Sequence, residues 1–288
     1  MSYAWETLAP LLVHIQANLD GDLGLENLSA YAGLSPAHLH RLFKIAVGET
    51  PKGYVARIRI ERSAFRMMIQ ESSLLEIALD SGYRNPETFS RAFRRRYGVS
   101  PSEYRKWSRR QQGHAEPQQN DLSHGAQRTY EFSRTKLTRL RPLHLAFLRH
   151  VGPYESVSNE LFEQLDTWAN HNKVPNPRVW LGIGHDAPGA TPPHRLRFDA
   201  ALVVPGEIAP EGRIGYQLLE GGDFAVTTHA GPLETLPLAY AEIFQRVVEL
   251  AGYQLVGLPA LEIYHESIVG TRHALYHTDI CLPVRRHL

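Results

Sequence analysis

The feature that most constrains this chain of 288 residues is a duplication within its first half. The segment Pro36–Phe43 (PAHLHRLF) matches Pro86–Phe93 (PETFSRAF) at an offset of 50 positions. Upstream, Gly33 matches Gly82 at an offset of 49, so the one-residue step falls inside a turn. A segment that recurs together with its turns marks a supersecondary unit that the chain uses twice.

Each copy predicts a short helix, a tight turn and a second helix. Glycine stops the short helix, a serine or asparagine caps the next helix, and proline opens it. These residues are Gly33, Ser35 and Pro36 in the first copy and Gly82, Asn85 and Pro86 in the second. In the first copy, the inward stripe of the second helix consists of Leu39, Leu42, Phe43 and Ala46. This is a tandem pair of helix-turn-helix units, an all-α fold whose second helices have the form that enters the major groove of DNA.

The spacing of the two units fits one DNA duplex. Residues 52–70 contain no proline and predict a single helix. At ~1.5 Å per residue, such a helix spans roughly 28 Å. Major grooves on one face of a duplex repeat every ~34 Å, so one chain can place both second helices in adjacent grooves.

The first half resembles the AraC/XylS family of transcription regulators. The marks are Arg41-Leu42-Phe43, Arg91-Ala92-Phe93 and the run GVSPSEY at 98–104. The resemblance implies base contacts from the second helix of each unit, at His40 and Arg41 and at Glu87, Ser90 and Arg91. Arginine suits guanine and glutamate suits cytosine, whereas Lys44, Arg94, Arg95 and Arg96 suit phosphates. The alternative is that these charges only solvate exposed helix faces.

Charge and composition separate this half from the rest of the chain. Residues 1–112 hold 16 Lys and Arg against 11 Asp and Glu, and residues 113–288 hold 15 against 19. The glutamine-rich stretch between them predicts a linker at 111–127, joining a DNA-binding domain at 1–110 to a second domain at 128–288. No apolar run approaches the ~20 residues of a membrane span and the start of the chain lacks a signal-peptide pattern, so we expect a cytoplasmic protein.

The second half is also duplicated, at an offset of 79. The run HVGPYE at 150–155 matches HAGPLE at 229–234. Each copy predicts the order strand, helix, strand, strand. The ranges are 143–150, 156–171, 179–185 and 197–204 in the first copy and 223–230, 235–251, 259–265 and 276–284 in the second. A duplicated α+β module predicts a ligand groove between its halves.

This half resembles the gyrase-inhibitor-like (GyrI-like) effector-binding domains, in the Rob-type order with the DNA-binding part first. The marks include LRHVGPYE at 148–155, GGDFAV at 221–226, LEIY at 261–264 and TDICLPV at 278–284. The resemblance implies a groove for an apolar or cationic effector around Glu262, and strand alternation places Tyr264 on the same face. Tyr154 and Trp180 are the further candidate ligand-binding residues. Without the resemblance, the sequence predicts that Glu262 is an ordinary solvated charge on a strand.

We therefore expect an effector-responsive transcription regulator, with double-stranded DNA and a small-molecule effector as partners and RNA polymerase as a further candidate. No catalytic residue, metal site or cofactor is predicted. The rival interpretation is a hydrolase of reactive small molecules, with Glu262 as general acid and base beside Tyr264. A third is a protein-interaction domain without a ligand. Arg197 and Asp199 share a strand face and either support the groove or form an exposed pair.

Overall fold

The computed structural model describes residues 2–114, 130–248, 250, 252–257, 259–270 and 275–286. The chain divides into two compact units, residues 1–112 with 208–217 and residues 113–207 with 218–288. Residues 111–114 of the predicted linker at 111–127 are helical, because they form the end of a helix that runs from Pro101 to His114. The remainder of that linker, residues 115–127, lies outside the described residues.

Seven helices are described in the first unit, within residues 2–114. They are α1 (Ser2–Ala17), α2 (Leu25–Tyr31), α3 (Pro36–Val47), α4 (Pro51–Ile69), α5 (Leu74–Leu79), α6 (Pro86–Tyr97) and α7 (Pro101–His114). Helices α2 and α3 form the first helix-turn-helix unit, and α5 and α6 form the second. The single helix predicted at 52–70 is α4, which lies between them in the chain.

Local capping chemistry explains why both units adopt the same form. The Ser35 hydroxyl accepts a hydrogen bond from the backbone N–H of His38 at the start of α3. The Asn85 side chain accepts from the N–H groups of Glu87 and Thr88 at the start of α6. Gly82 turns the chain between α5 and α6 with a φ of 74°, which favours glycine. These caps confirm the start and stop signals read from the sequence.

One predicted core position of α3 is wrong. Leu39 and Phe43 are fully buried, but Ala46 is exposed. Val47 packs against the core in its place, because a residue four positions after Phe43 lies on the same face of the helix.

The second unit contains two helices and the strands around them. The strands are β1 (Glu131–Phe132), β2 (Lys136–Leu140), β3 (Leu143–Val151), β4 (Trp180–Gly184), β5 (Arg197–Val204), β7 (Gly222–Gly231), β8 (Tyr253–Leu255), β9 (Ala260–Tyr264) and β10 (Tyr276–Arg286). Strand β6 (Gly215–Leu219) crosses the division of the chain, because its residues 215–217 belong to the first unit. The helices are α8 (Glu160–His171) and α9 (Leu236–Val248). The predicted order recurs as β3-α8-β4-β5 in the first copy and as β7-α9-β8-β9-β10 in the second, where β8 is a short additional strand, and this confirms the α+β duplication.

The two copies share one antiparallel sheet. Within the second unit its strands run in the order β1-β7-β10-β9-β4-β5-β3, with β2 beside β7 and β8 beside β10. The copies meet where β4 pairs with β9, in a register that places Gly182 opposite Glu262. The second copy is one residue longer between HAGPLE and β9 than the first copy is before β4, so the offset changes from 79 to 80. At that offset Leu181 matches Leu261 and Gly182 matches Glu262, which makes these residues equivalent in the repeat. A local two-fold axis therefore passes through the pair Gly182 and Glu262.

Candidate functional site

The predicted DNA-contact residues lie on the outer faces of α3 and α6. All eight are exposed: His40, Arg41 and Lys44 on α3, and Glu87, Ser90, Arg91, Arg94 and Arg95 on α6. The fully buried Phe43, Phe89 and Phe93 hold the opposite faces of these helices in the core. Each second helix thus presents a polar, largely basic face to solvent, as readout of a major groove requires.

Among the candidate phosphate contacts, Arg96 also forms an ion pair within the protein. Its guanidinium Nη2 donates a hydrogen bond of 2.8 Å to Oε1 of Glu61 on α4. The Glu61 side chain is only 2% exposed, and a carboxylate removed from water needs such a partner. Arg96 is therefore engaged within the protein.

In the second unit, the structure brings Glu262 together with two tyrosine hydroxyls. The Tyr264 hydroxyl donates to Oε2 of Glu262 at 2.5 Å, and the Tyr240 hydroxyl donates to Oε1 at 3.0 Å. Glu262 and Tyr264 lie on β9, whereas Tyr240 lies on α9. Tyr240 is not among the ligand-binding candidates predicted from the sequence, so its role beside Glu262 was missed.

Aromatic rings surround this carboxylate on the same face of the sheet. Trp180 lies directly opposite Tyr264 across the β4–β9 pair. Phe162 of α8 packs edge-on against both, with ring centroids 6.1 Å from Trp180 and 5.8 Å from Tyr264. Phe162 was also missed, because its contact with the two strands comes from tertiary packing and leaves no local pattern.

Gly182 provides the space that these side chains occupy. A Cβ atom at this position would lie 2.6 Å from the Tyr264 hydroxyl oxygen and 2.9 Å from Oε2 of Glu262. Any larger residue would displace the carboxylate or its donor. Glycine inside a central strand signals a close approach of this kind, so a signal for Gly182 was present in the sequence.

Tyr154 contributes its ring and not its hydroxyl group. The hydroxyl donates to the backbone oxygen of Asp186 at 2.6 Å and accepts from the N–H of the same residue at 3.0 Å. The ring centroid lies 6.2 Å from that of Phe198, which lies opposite Gly184 on the face that carries Glu262. Tyr154 is thus held beside the aromatic cluster, with its polar atom already satisfied.

Arg197 and Asp199 are not an exposed pair. Both are buried, at 5% and 0% exposure. Arg197 binds the carboxylate of Asp186 through Nε and Nη2 at 2.8 and 2.6 Å. Asp199 accepts two bonds of 2.7 Å from Arg149. Strand alternation places these side chains on the sheet face opposite Glu262, so they support the sheet and the loop that holds Tyr154.

Burial dominates the electrostatics around Glu262. Desolvation raises the pKa of this carboxyl, although the hydrogen bonds from Tyr264 and Tyr240 act to lower it. Burial and the neighbouring Glu262 raise the pKa of both tyrosines, so their hydroxyls stay protonated donors. Glu262 nevertheless keeps partial solvent exposure. Glu262 is thus a poorly solvated carboxyl group that accepts two tyrosine hydrogen bonds beside aromatic rings.

Two features are absent from the residues that the structure describes. No helix in these parts of the chain is long and apolar enough to cross a membrane. Within the same residues, no three histidine, cysteine, aspartate or glutamate side chains gather in a group that could hold a metal ion.

Comparison with known protein families matches both halves of the chain. The model for the GyrI-like small molecule binding domain matches residues 135–285. This chain belongs to the GyrI-like family. A helix-turn-helix domain model matches residues 28–106, so the AraC-type unit precedes the GyrI-like domain as the sequence predicts. Both resemblances are thereby confirmed.

Individual relatives match the two halves separately. The DNA gyrase inhibitor of Cronobacter sakazakii is 30% identical over 138 residues, which cover 47% of this chain and 86% of that protein. The right origin-binding protein of Escherichia coli K12 is 35% identical over 101 residues, which cover 34% of this chain and only 35% of that protein. Among solved structures, the EcmrR–DNA complex in EcmrR-RPo covers 91% of this chain at 17% identity, with a TM-score of 0.46.

Proposed function

We propose that this protein is a DNA-binding transcription regulator that responds to a small, cationic and largely apolar effector. The observation that carries the proposal is the carboxylate of Glu262, held by Tyr240 and Tyr264 among aromatic rings, in a chain that also presents two exposed recognition helices. Its two proposed domains are 1–110 and 128–288. We place its action in the cytoplasm, where its DNA partner would be available.

The DNA-binding part of the proposal predicts an asymmetric site. One monomer carries two recognition helices, α3 and α6, separated along the chain by α4, so a single chain reads two successive major-groove segments. Selection from a pool of randomised duplexes, followed by footprinting, tests this layout. A palindromic site that only a dimer can occupy would contradict it.

The effector part predicts saturable binding without turnover. The raised pKa of Glu262 is also a property of general acids and bases, which is the observation that favours the hydrolase alternative. A thermal-shift panel of organic cations and neutral analogues identifies ligands, and product analysis after long incubation distinguishes the two functions. Stoichiometric binding with the ligand recovered intact supports the regulator; steady conversion supports the hydrolase.

Contact with RNA polymerase stays a prediction. A regulator that binds near a promoter changes the rate at which polymerase initiates. Transcription in vitro from a template that carries the selected site, with and without an effector found in the panel, measures this effect and its sign.

A further inference from the structure

A chain of four buried or half-buried charged side chains connects the ends of the two recognition helices, α3 and α6. Glu61 on α4 accepts from Nη2 of Arg96 at 2.8 Å and from Nη1 of Arg57 at 2.8 Å. Arg57 also donates to Glu49, from Nη2 at 2.5 Å and from Nε at 3.0 Å. Glu49 follows Gly48, the C-cap of α3, and Arg96 lies in the last turn of α6. We call these residues the Glu61 network.

The Glu61 network has no counterpart at the equivalent positions of the other helix-turn-helix copy. At the offset of 50 positions, Arg96 corresponds to Ala46 and Glu49 to Val99. Glu61 itself corresponds to Gln111. A device that stabilised each helix-turn-helix unit on its own would recur in both copies. This network occurs once, at the junction, and its members come from both units and from the helix between them.

The geometry of the network suits a rigid connection. Arg57 reaches both carboxylates, and its side chain is 11% exposed against 2% for Glu61. Charge-assisted bonds of this length are strong and directional, and a buried carboxylate that loses a cationic partner is costly. Rotation of α6 relative to α4 would break the bond between Arg96 and Glu61, so the network resists that movement.

We propose that Glu61 is a positioning residue that fixes the spacing and orientation of α3 and α6 for simultaneous readout of two adjacent major grooves. This inference rests on the proposed DNA-binding function. One extra base pair shifts the second groove segment by ~3.4 Å and rotates it by about a tenth of a turn. A rigid pair of helices discriminates against that shift. If the connection between the two helices is loosened, they can adjust to the shift. Binding then costs additional entropy, because two independent units have to be aligned on the DNA.

Four variants of the full-length chain test the proposal. Glu61→Gln keeps the shape of the side chain and removes its charge. Arg96→Met releases only α6 and leaves the bonds between Glu61 and Arg57 intact, so it decides the question even where Glu61→Gln fails to fold. Arg96→Lys keeps the cation. Glu71→Gln is the matched control, because Glu71 forms an exposed ion pair with Arg109 at 2.8 Å in the same domain.

The probe is the duplex that the wild-type chain selects from a randomised pool, together with versions that carry one base pair more or fewer between the two protected segments. We expect the altered spacing to cost wild type about 10-fold in affinity. Glu61→Gln and Arg96→Met bind the selected duplex about 10-fold more weakly but lose little further affinity when the spacing changes. Arg96→Lys and Glu71→Gln behave as wild type.

Two outcomes overturn the proposal, and they differ from each other. If Arg96→Met weakens all duplexes alike and keeps the full spacing penalty, Arg96 contacts a phosphate and the network does not set the spacing. If the wild-type chain itself selects no sequence and protects no duplex, the proposed DNA-binding function is wrong and this inference is wrong with it.

Discussion

Replacing Glu262 with glutamine should stabilise the second unit while weakening its hold on cations. Glutamine keeps the shape of the side chain. Its Oε1 accepts from one tyrosine, and its amide N–H donates to the oxygen of the other, so both hydrogen-bond positions stay filled. The substitution therefore isolates the effect of the charge. Burial makes that charge unfavourable in the empty site, whereas an organic cation bound beside it makes the charge favourable.

The direction of the stability change follows from the raised pKa of Glu262. In the unfolded chain the carboxyl has its ordinary pKa, so folding favours the protonated form. Protonation of Glu262 therefore adds to the free energy of unfolding. This contribution is fully present when the pH is below the pKa of the carboxyl in the unfolded chain, and it is lost as the pH rises through the pKa of the carboxyl in the folded chain. Once the group is ionised in both states, a carboxyl whose pKa is higher in the folded chain than in the unfolded chain destabilises the fold, at about 1.4 kcal/mol for a tenfold difference in proton affinity. Glu262→Gln removes this cost, so its advantage grows from acidic to mildly alkaline pH.

Hydrogen exchange at the backbone amides of β4 and β9 measures this change locally, which is necessary because a chain of two compact units is not expected to unfold in one step. Glu220→Gln is the control, because Glu220 is exposed. For binding, calorimetry compares an aryl trimethylammonium cation with its neutral tert-butyl isostere. We expect Glu262→Gln to weaken the cation by about 2 kcal/mol, roughly 30-fold, and to leave the neutral compound nearly unchanged.

Two results would refute the reasoning. Equal losses for the cation and its neutral isostere would mean that the charge of Glu262 does not attract the ligand. A fall in the protection of the β4 and β9 amides at mildly alkaline pH, relative to wild type, would mean that the ionised carboxylate stabilises the sheet, in contradiction to its raised pKa.

Three further predictions concern the recognition helices, the glycine beside the carboxylate and the independence of the first domain. Competitive binding should show that Arg41→Ala or Arg91→Ala costs roughly 1–3 kcal/mol at the selected duplex and relaxes selectivity at a few base pairs. Lys44→Ala or Arg94→Ala should instead weaken all sequences alike and flatten the salt dependence. Gly182→Ala should lower thermal stability by roughly 1–3 kcal/mol and abolish calorimetric ligand binding. Gly184→Ala is its control, since a Cβ there lies no closer than 3.5 Å to its neighbours. A fragment of residues 1–112 should fold and bind the selected duplex in fluorescence anisotropy, and loss of all specific affinity in a well-folded fragment would count against independent domains.

The first unit was largely predictable because its signals are local. Ser35, Asn85 and the glycines that end the helices act within a few residues of the positions they control. The error at Ala46 shows the limit of helical periodicity. Two small apolar residues, Ala46 and Val47, follow Phe43 at suitable spacing, and only the packed core decides which of them is buried. Arg96 shows the same limit for charge, because its partner Glu61 is 35 positions away.

The candidate ligand site was predictable only in the part that one strand carries. Strand alternation and the family resemblance identify Glu262 and Tyr264, which are two residues apart on β9. Tyr240 and Phe162 come from separate helices, 22 and 100 positions away from Glu262, and their approach depends on how each helix packs against the sheet. Trp180 was recovered as an aromatic candidate, but its position opposite Tyr264 requires the strand register, which a sequence of this kind does not specify.

The local two-fold axis explains why this site needs two unlike copies. Because Gly182 and Glu262 are equivalent in the repeat and lie opposite each other, a second glutamate at 182 would bring two carboxylates together in a poorly solvated place, where their repulsion is strong. The strand segments WLGIG at 180–184 and ALEIY at 260–264 avoid this because, on one face, a large residue in one segment corresponds to a small residue in the other. Large Trp180 corresponds to Ala260, Gly182 to Glu262, and Gly184 to Tyr264, whereas the leucine and isoleucine of the other face are identical. One copy thus supplies the charge and its donor while the other supplies space and an aromatic wall. In this chain, the face on which β4 and β9 exchange large for small residues is therefore the face that carries the candidate ligand site.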